Sequence, residues 1–314
     1  MNATIDIPGD PALPGLVAMR TLGLARAVPS LGLDDDRPVE LLLRAHKPGA
    51  HATVEARRGC RRLAVKAYAT DPALEAKLYE AFAAAGLVSD APVRVPPLLA
   101  WERDLRLLVV GWLEGPTAHE LLKHGQGDRA GQLAACWLQH ARSLRVTLGP
   151  PFGAAQMLRR ARKWVGALRA SDASLGAAAG TLAAMLERTE PKEDARRVVH
   201  GALHVRNIID LGCGPGLIDW QRFGQGPAEV EAGTFLSSVW RVGLDGALAG
   251  EAARGKEAFL VRTAGLLDER ALAWHLGAAL LCRANRLLSR RKGDWPARAH
   301  ALLGEAARVA KAAG

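Results

Sequence analysis

The 314-residue sequence predicts an α+β fold in two parts, a small strand-rich part followed by a larger helical one. Three observations predict it. Short apolar or alternating runs separated by Gly- and Pro-bearing turns fill the first 112 residues. Ala-, Leu- and Arg-rich stretches of helical period dominate after residue 116. One late block, 197–219, interrupts the helices with short strand-like runs.

The first strands are ELLLRAH (40–46), TVEAR (53–57) and RLAVKAY (62–68), joined through KPGA and RRGC as a meander. TDPALEAKLYEAFAAAGL then predicts a helix. Thr70 or Asp71 caps it, Pro72 stands early where a missing N–H costs nothing, and Gly86 closes it. Leu74, Leu78 and Phe82 recur every fourth residue and predict its apolar face. Two further strands, near 97–101 and 105–112, run into the Glu114-Gly115-Pro116 turn. Helices are expected at 117–124, 129–146, 154–170, 176–189 and 230–248, and in pieces over 253–312. The strand-like interruptions are 197–199, 207–210 and 216–219.

Bulk properties narrow the class. Hydrophobic residues make up 49% of the chain, enough for a globular core, yet no apolar run approaches the ~20 residues of a membrane span. The N-terminus lacks a basic start followed by an apolar run, so no signal peptide is expected. Cys60, Cys136, Cys213 and Cys282 lie far apart without a CxxC pair, which suits reduced thiols and a cytoplasmic setting. The net charge of +10 is dispersed over runs such as Arg57, Arg58, Arg61 and Arg62, or Arg159, Arg160, Arg162 and Lys163, and reads as solvated basic faces. No nucleic-acid-binding pattern accompanies these runs.

The informative stretch is VVHGALHVRNIIDLGCGPGLIDW, residues 198–220. It reads as strand, polar loop, strand, Gly-rich turn and strand, ending at Asp219. An amide oxygen from Asn207 and a carboxylate from Asp219 would suit Mg²⁺, a hard cation that prefers oxygen donors. Taken alone, an Asn and an Asp twelve residues apart equally describe caps and turns.

HGALHVRN followed by GLIDW resembles the HGDxHxxN and IDW/IDF motifs of the aminoglycoside phosphotransferase and choline kinase family. GQGPAEVEAGTFL is similar to a downstream segment of that family. LAVKAY with ALEAKLYEAFAAAGL looks like its strand lysine and following helix, and LLVVGWLEG like its hinge. The resemblance covers about residues 40–240 in order. It implies a two-lobed protein-kinase-like fold, with a nucleotide-binding lobe at 1–113 and a helical lobe carrying the catalytic loop and acceptor site at 114–314. The implied activity is ATP- and Mg²⁺-dependent phosphorylation of a small molecule.

Roles follow residue by residue from the resemblance. Lys66 would contact the nucleotide phosphates, and Glu75 would pair with it. Glu80, roughly 140° further round the helix, would face solvent. Gly111, Trp112 and Leu113 would form the hinge, with the Gly111 carbonyl and the Leu113 amide on the adenine. Asn207 and Asp219 would hold the metal, His200 would be architectural, and Glu231 would brace the catalytic loop in place of an aspartate. HKPGAHAT (46–53), in the place of the phosphate-covering loop, has only Gly49. No GxxxxGK[ST] phosphate-binding loop is present.

Ala202 stands where the family has the aspartate that takes the acceptor hydroxyl's proton. General-base catalysis contributes about 10²–10⁴-fold, so transfer to a hydroxyl should be strongly impaired. Because Lys66, Glu75, Asn207 and Asp219 all stand, the pattern favours a designed Asp-to-Ala replacement in an active enzyme. The alternative is a natural pseudokinase that binds nucleotide and acts through a protein partner. The C-terminal helices carry Arg254, Lys256, Arg262, Arg283, Arg286 and Arg290 with few acids. A neutral or anionic sugar, nucleoside or other natural product is therefore expected as acceptor rather than a polycation. Arg283, Arg286 and Arg290 share a helix face that would either meet an acidic group or lie in solvent.

Overall fold

A computed structural model describes residues 7–33, 38–88, 91–193, 196–289, 291 and 293–313. The chain divides into two compact units, Met1–Glu114 and Gly115–Gly314.

The first unit is built on a five-stranded antiparallel sheet: β1 (Glu40–Lys47), β2 (His51–Arg58), β3 (Arg61–Tyr68), β4 (Leu98–Glu102) and β5 (Leu107–Gly111), in the order β1-β2-β3-β5-β4. Side chains alternate across a strand, so β3 serves two layers. Leu63, Val65 and Ala67 join a core with Leu16 and Met19 from α1 (Pro14–Leu22), while Tyr68 joins Leu108 and Ala76 from α3 (Ala73–Ala84). Lys66 has the parity of Tyr68 and so lies on the α3 face.

Two sequence expectations change in this unit. The residues before 40 hold α1 and the short α2 (Leu24–Ala27), which were not foreseen. In α3 the buried residues are Glu75, Ala76, Leu78, Tyr79 and Phe82, and Leu74 is 46% exposed. Fourth-residue spacing advances about 40° past a full turn per step, so Leu74 drifts off the face that Phe82 occupies. The buried stripe therefore runs through Glu75 rather than Leu74, while Glu80 is exposed as expected.

The second unit is mostly helical. Its helices are α4 (Ala118–Lys123), α5 (Gly127–Ala141), α6 (Ala154–Ser171), α7 (Ala173–Arg188), α8 (Ala228–Gly243), α9 (Ala249–Arg262), α10 (Glu269–Leu288) and α11 (Trp295–Ala310). Helices α6, α7, α10 and α11 share a core around Leu182, Trp274, Leu281 and Leu302, and the Trp274 indole donates to the Leu186 carbonyl at 2.8 Å. No described helix is long and apolar enough to cross a membrane.

Four short strands sit among these helices: β6 (Arg197–Val199) pairs with β9 (Gly224–Gly226), and β7 (Ile208–Asp210) with β8 (Pro215–Leu217). Strand β9 was not expected, because Gly-Gln-Gly has no strand propensity. Pairing imposes it: Gln225 accepts from the Phe152 amide and donates to the Pro150 carbonyl, both at 2.8 Å. The two ladders leave two loops, 200–207 and 218–223, that carry the polar residues of the motif.

Candidate active site

In the first unit, Lys66 and Glu75 are 4% and 5% exposed, and the ammonium donates to Glu75 Oε1 at 2.6 Å. The other carboxylate oxygen accepts from the Tyr68 hydroxyl at 2.7 Å. Burial, with the Glu75 charge adding to it, pushes the Tyr68 phenol well above its ordinary range, so it stays a donor. Sequence reading missed Tyr68, although its alternation with Lys66 along β3 places both side chains on the α3 face.

Gly111 ends β5 opposite Leu63, and its amide donates to Pro97 O at 2.9 Å. A Cβ at Gly111 would lie 2.8 Å from the Pro97 ring, which explains glycine at a position where the family motif has an acidic residue. The Leu113 amide has no hydrogen-bond partner among the described residues. The Arg62 guanidinium lies 4.3 Å from the Trp112 ring centroid and bonds Glu114 at 2.7 Å.

Arg62 also corrects the reading of its run as a solvated face. Arg44, Arg57 and Arg62 converge on Glu55, which is fully buried, with bonds of 2.5, 2.6 and 2.7 Å. Burial opposes the Glu55 charge, but the three guanidinium groups outweigh it and hold the carboxyl at about 2. In the turn between β1 and β2, the Gly49 amide donates to Asp10 at 2.8 Å and His46 bonds the same oxygen at 3.0 Å. The turn therefore takes its anchor from an N-terminal residue that sequence reading left unassigned.

In the second unit the loops 200–207 and 218–223 are tied together by His200, which is fully buried and bonds the Ile218 carbonyl through Nε2 at 2.8 Å. Its ring lies 4.4 Å from that of Trp220, so both neighbours of Asp219 are fixed through one imidazole. Gly201 has φ 66°, and a Cβ there would lie 2.2 Å from the Arg222 carbonyl; only glycine fits. Its amide donates to Glu231 Oε1 at 2.9 Å, and Oε2 of the same carboxylate accepts from the Trp137 indole at 3.0 Å. Glutamate thus spans from α8 to the loop despite its extra methylene.

Asn207 is buried and donates from Nδ2 to the Ala202 carbonyl at 3.1 Å, which leaves its amide oxygen for another partner. Its carbonyl accepts from the Ile218 amide at 3.1 Å, which links it to the residue before Asp219. Asp219 itself has φ 68°, one of three non-glycine residues with positive φ among those described. Left-handed backbone on a residue other than glycine is stored strain, and it recurs where side chains must be aimed for function. An amide oxygen from Asn207 and a carboxylate from Asp219 are hard donors that could hold Mg²⁺ together with phosphate oxygens. No group of three or more metal-ligating His, Cys, Asp or Glu side chains occurs among the described residues.

Ala202 is 7% exposed and contributes no proton acceptor. His204, two residues on, does not replace it. Burial, reinforced by the Arg283 charge, pushes its imidazole down to about 3, too weakly basic to take a hydroxyl proton at neutral pH. A cavity of about 740 Å³ near Glu193, Arg197 and His275 contains none of the motif residues.

Residues 43–275 match the phosphotransferase enzyme family, and the chain belongs to that family. Solved structures share its fold. An apo thermostable mutant of aminoglycoside phosphotransferase APH(4)-Ia matches with a TM-score of 0.64 at 14% identity, over 88% of this chain and 95% of that one. Choline kinase LicA from Streptococcus pneumoniae matches at 0.59 and 13%, over 87% and 94%. A putative aminoglycoside phosphotransferase from Ralstonia eutropha JMP134 matches at 0.58 and 18%, over 95% and 97%. No curated protein matches the chain significantly. The protein-kinase-like α+β fold expected from the sequence is the one the chain has.

Proposed function

We propose that the chain is an ATP- and Mg²⁺-dependent small-molecule phosphotransferase in which transfer to hydroxyl acceptors is impaired at Ala202. The buried Lys66–Glu75 pair carries this reading. A lysine 4% exposed on a central strand and bonded to a buried glutamate is an expensive arrangement, and it suits a cation kept ready for nucleotide phosphates. In this reading the backbone of Gly111 and Leu113 meets the adenine, and Trp112 completes the hinge. The Asn207 amide oxygen and the Asp219 carboxylate would hold the metal, which would supply positive charge against that of the phosphates. His200 and Glu231 keep the loop in shape. An Asp-to-Ala variant of APH(4)-Ia has been crystallised with ADP and hygromycin B together, so an alanine in that fold is compatible with both ligands bound.

The second reading, a pseudokinase that signals through a partner, is favoured by Ala202 alone. Whether that alanine is a designed replacement or a natural one, the chemistry is the same. Two measurements separate the readings. Mg-ATP should bind the wild-type chain with Kd in the micromolar to millimolar range and bind Lys66→Met at least tenfold more weakly. Ala202→Asp should then phosphorylate a hydroxylated acceptor from a broad panel. Binding without transfer by Ala202→Asp would favour the pseudokinase, and no Mg-ATP binding at all would remove both readings.

A further inference from the structure

Beside Ala202 the second unit holds a cavity of about 30 Å³, lined among others by Arg160, Arg222, Arg283 and Arg286. Room of this order admits one small polyatomic group rather than a whole sugar ring. The remaining lining comes from residues such as Phe152, Trp164 and Ser237, and no Asp or Glu takes part. Three elements deliver the arginines: α6 brings Arg160, the loop after β8 brings Arg222, and α10 brings Arg283 and Arg286 one turn apart. Arg290, which continues this helix face in the sequence, lies outside the described residues.

The charges are compensated only in part from within: Asp219 lies near enough to Arg222 to favour its charged form. Arg283 is 7% exposed and, among the described residues, donates only to neutral acceptors, Ser237 Oγ at 2.7 Å and the Thr234 carbonyl at 3.1 Å. Arg160 rests 4.8 Å from the Phe152 ring centroid. None of the four makes an ion pair with a carboxylate among the described residues, in contrast to Arg44, Arg57, Arg62 and Arg129, which all do. Burial first, and neighbouring guanidinium charges after it, push the pKa of Arg160, Arg222 and Arg283 down, so the folded chain bears a standing repulsion here. Guanidinium forks presented together are the arrangement that holds carboxylate and phosphate groups.

We propose that this pocket binds an oxyanion, a carboxylate or phosphate group of the acceptor, and that Ala202 is the space this group needs rather than a lost base. The acceptor role rests on the phosphotransferase reading above; the anion site does not. An aspartate at 202 would place its own carboxylate among the arginines and occupy the pocket. An oxyanion acceptor, unlike a hydroxyl, has no proton to lose at neutral pH. Its oxygen lone pair forms the bond to the γ-phosphorus of a nucleoside triphosphate. The bond from that phosphorus to the bridging oxygen breaks, and the electron pair leaves with the diphosphate. The missing base and the unpaired arginines thus have one explanation.

The test uses the whole chain without nucleotide, titrated with orthophosphate and separately with acetate at constant ionic strength, and read by thermal shift and calorimetry. Wild type should bind at least one of the two saturably, and whichever binds more tightly names the phosphate or carboxylate source. Arg286→Gln and Ala202→Asp should each weaken that binding at least tenfold, while Ala202→Asp melts higher than wild type in the absence of anion. Binding no stronger than that of chloride, or Ala202→Asp binding like wild type, overturns the proposal. With Mg-ATP added, ³¹P NMR should show the bound anion converted to an anhydride by wild type. Saturable anion binding and Mg-ATP binding without that product would overturn the acceptor role. Loss of Mg-ATP binding alone would instead strike the phosphotransferase reading and leave the anion site standing.

Discussion

Replacing Glu75 with alanine removes two buried bonds at once, 2.6 Å to Lys66 and 2.7 Å to Tyr68. Alanine is a better helix former than glutamate and creates no strain in α3, so the cost comes from the partners left behind. An ammonium without its carboxylate in a site 4% exposed costs about 3–5 kcal/mol. The orphaned phenol adds about 1–3 kcal/mol, and relaxation of the flexible lysine stem returns part of the sum. A net loss of about 4 kcal/mol is expected, a large share of the ~5–15 kcal/mol that holds a typical protein folded. The triple change Lys66→Met, Glu75→Leu, Tyr68→Phe removes the ammonium, the carboxylate and the phenol together and should lie within about 1–2 kcal/mol of wild type, because neither member of the pair is left without the other. Urea unfolding followed by far-UV circular dichroism reads both variants. Nucleotide binding should be lost in both, which separates the functional from the structural contribution. A cost below about 1 kcal/mol for Glu75→Ala, or a triple variant as unstable as the single one, would refute the picture of a buried, mutually dependent pair.

Three further outcomes follow from the same geometry. Glu55, held at about 2 against an ordinary 4.5, stabilises the fold fully above pH ~4.5, and that stability is lost as pH falls toward 2. The shift corresponds to about 3 kcal/mol, reduced to roughly 2 by solvent around guanidinium groups that are 29–46% exposed; Glu55→Gln should flatten the acid limb of a melting-temperature profile. Gly201→Ala forces a Cβ against the Arg222 carbonyl at 2.2 Å with φ 66°, and should cost about 2–4 kcal/mol and abolish metal-dependent nucleotide binding, measured by calorimetry. Glu231→Ala strands the Gly201 amide and the Trp137 indole, for about 2–5 kcal/mol in urea unfolding, whereas Glu231→Gln, which keeps an acceptor oxygen, should cost less than half as much.

The chain order of strands and helices was legible because local periodicity governs it: β1, β2, β3, α3, β4 and β5 all lie within a few residues of their expected places. Strand β9 was not legible, since its three residues are extended by partners at 150, 152 and 197–199 rather than by their own preferences. The site divides in the same way. Asn207, Asp219 and His200 stand in a local motif that spacing exposes. Tyr68 and Asp10 act through contacts that only the folded chain makes. Leu74 shows the limit most directly: apolar recurrence every fourth residue suggested a face, but the helix turns by 3.6 residues, and Glu75 took the buried place.

Charge behaves like strand β9, because its sum is visible in the sequence and its meaning depends on placement. A net +10 read as dispersed solvated faces predicts arginines that are interchangeable and individually dispensable. The folded chain sorts them instead. Arg44, Arg57 and Arg62 are bound to Glu55, and Arg129 holds Asp210 through two bonds of 2.8 and 2.6 Å, so each has its counter-charge inside the same unit. Arg160, Arg222, Arg283 and Arg286 form no ion pair with a carboxylate among the described residues, and they line the same pocket as Ala202, where an expected carboxylate is absent. A disabled base alone does not account for four guanidinium groups lining the pocket beside it without a carboxylate in the lining. The arginines argue that the alanine and the pocket belong to each other. Reversing one member, as in Ala202→Asp, should then change what the pocket binds more than it changes whether the chain folds.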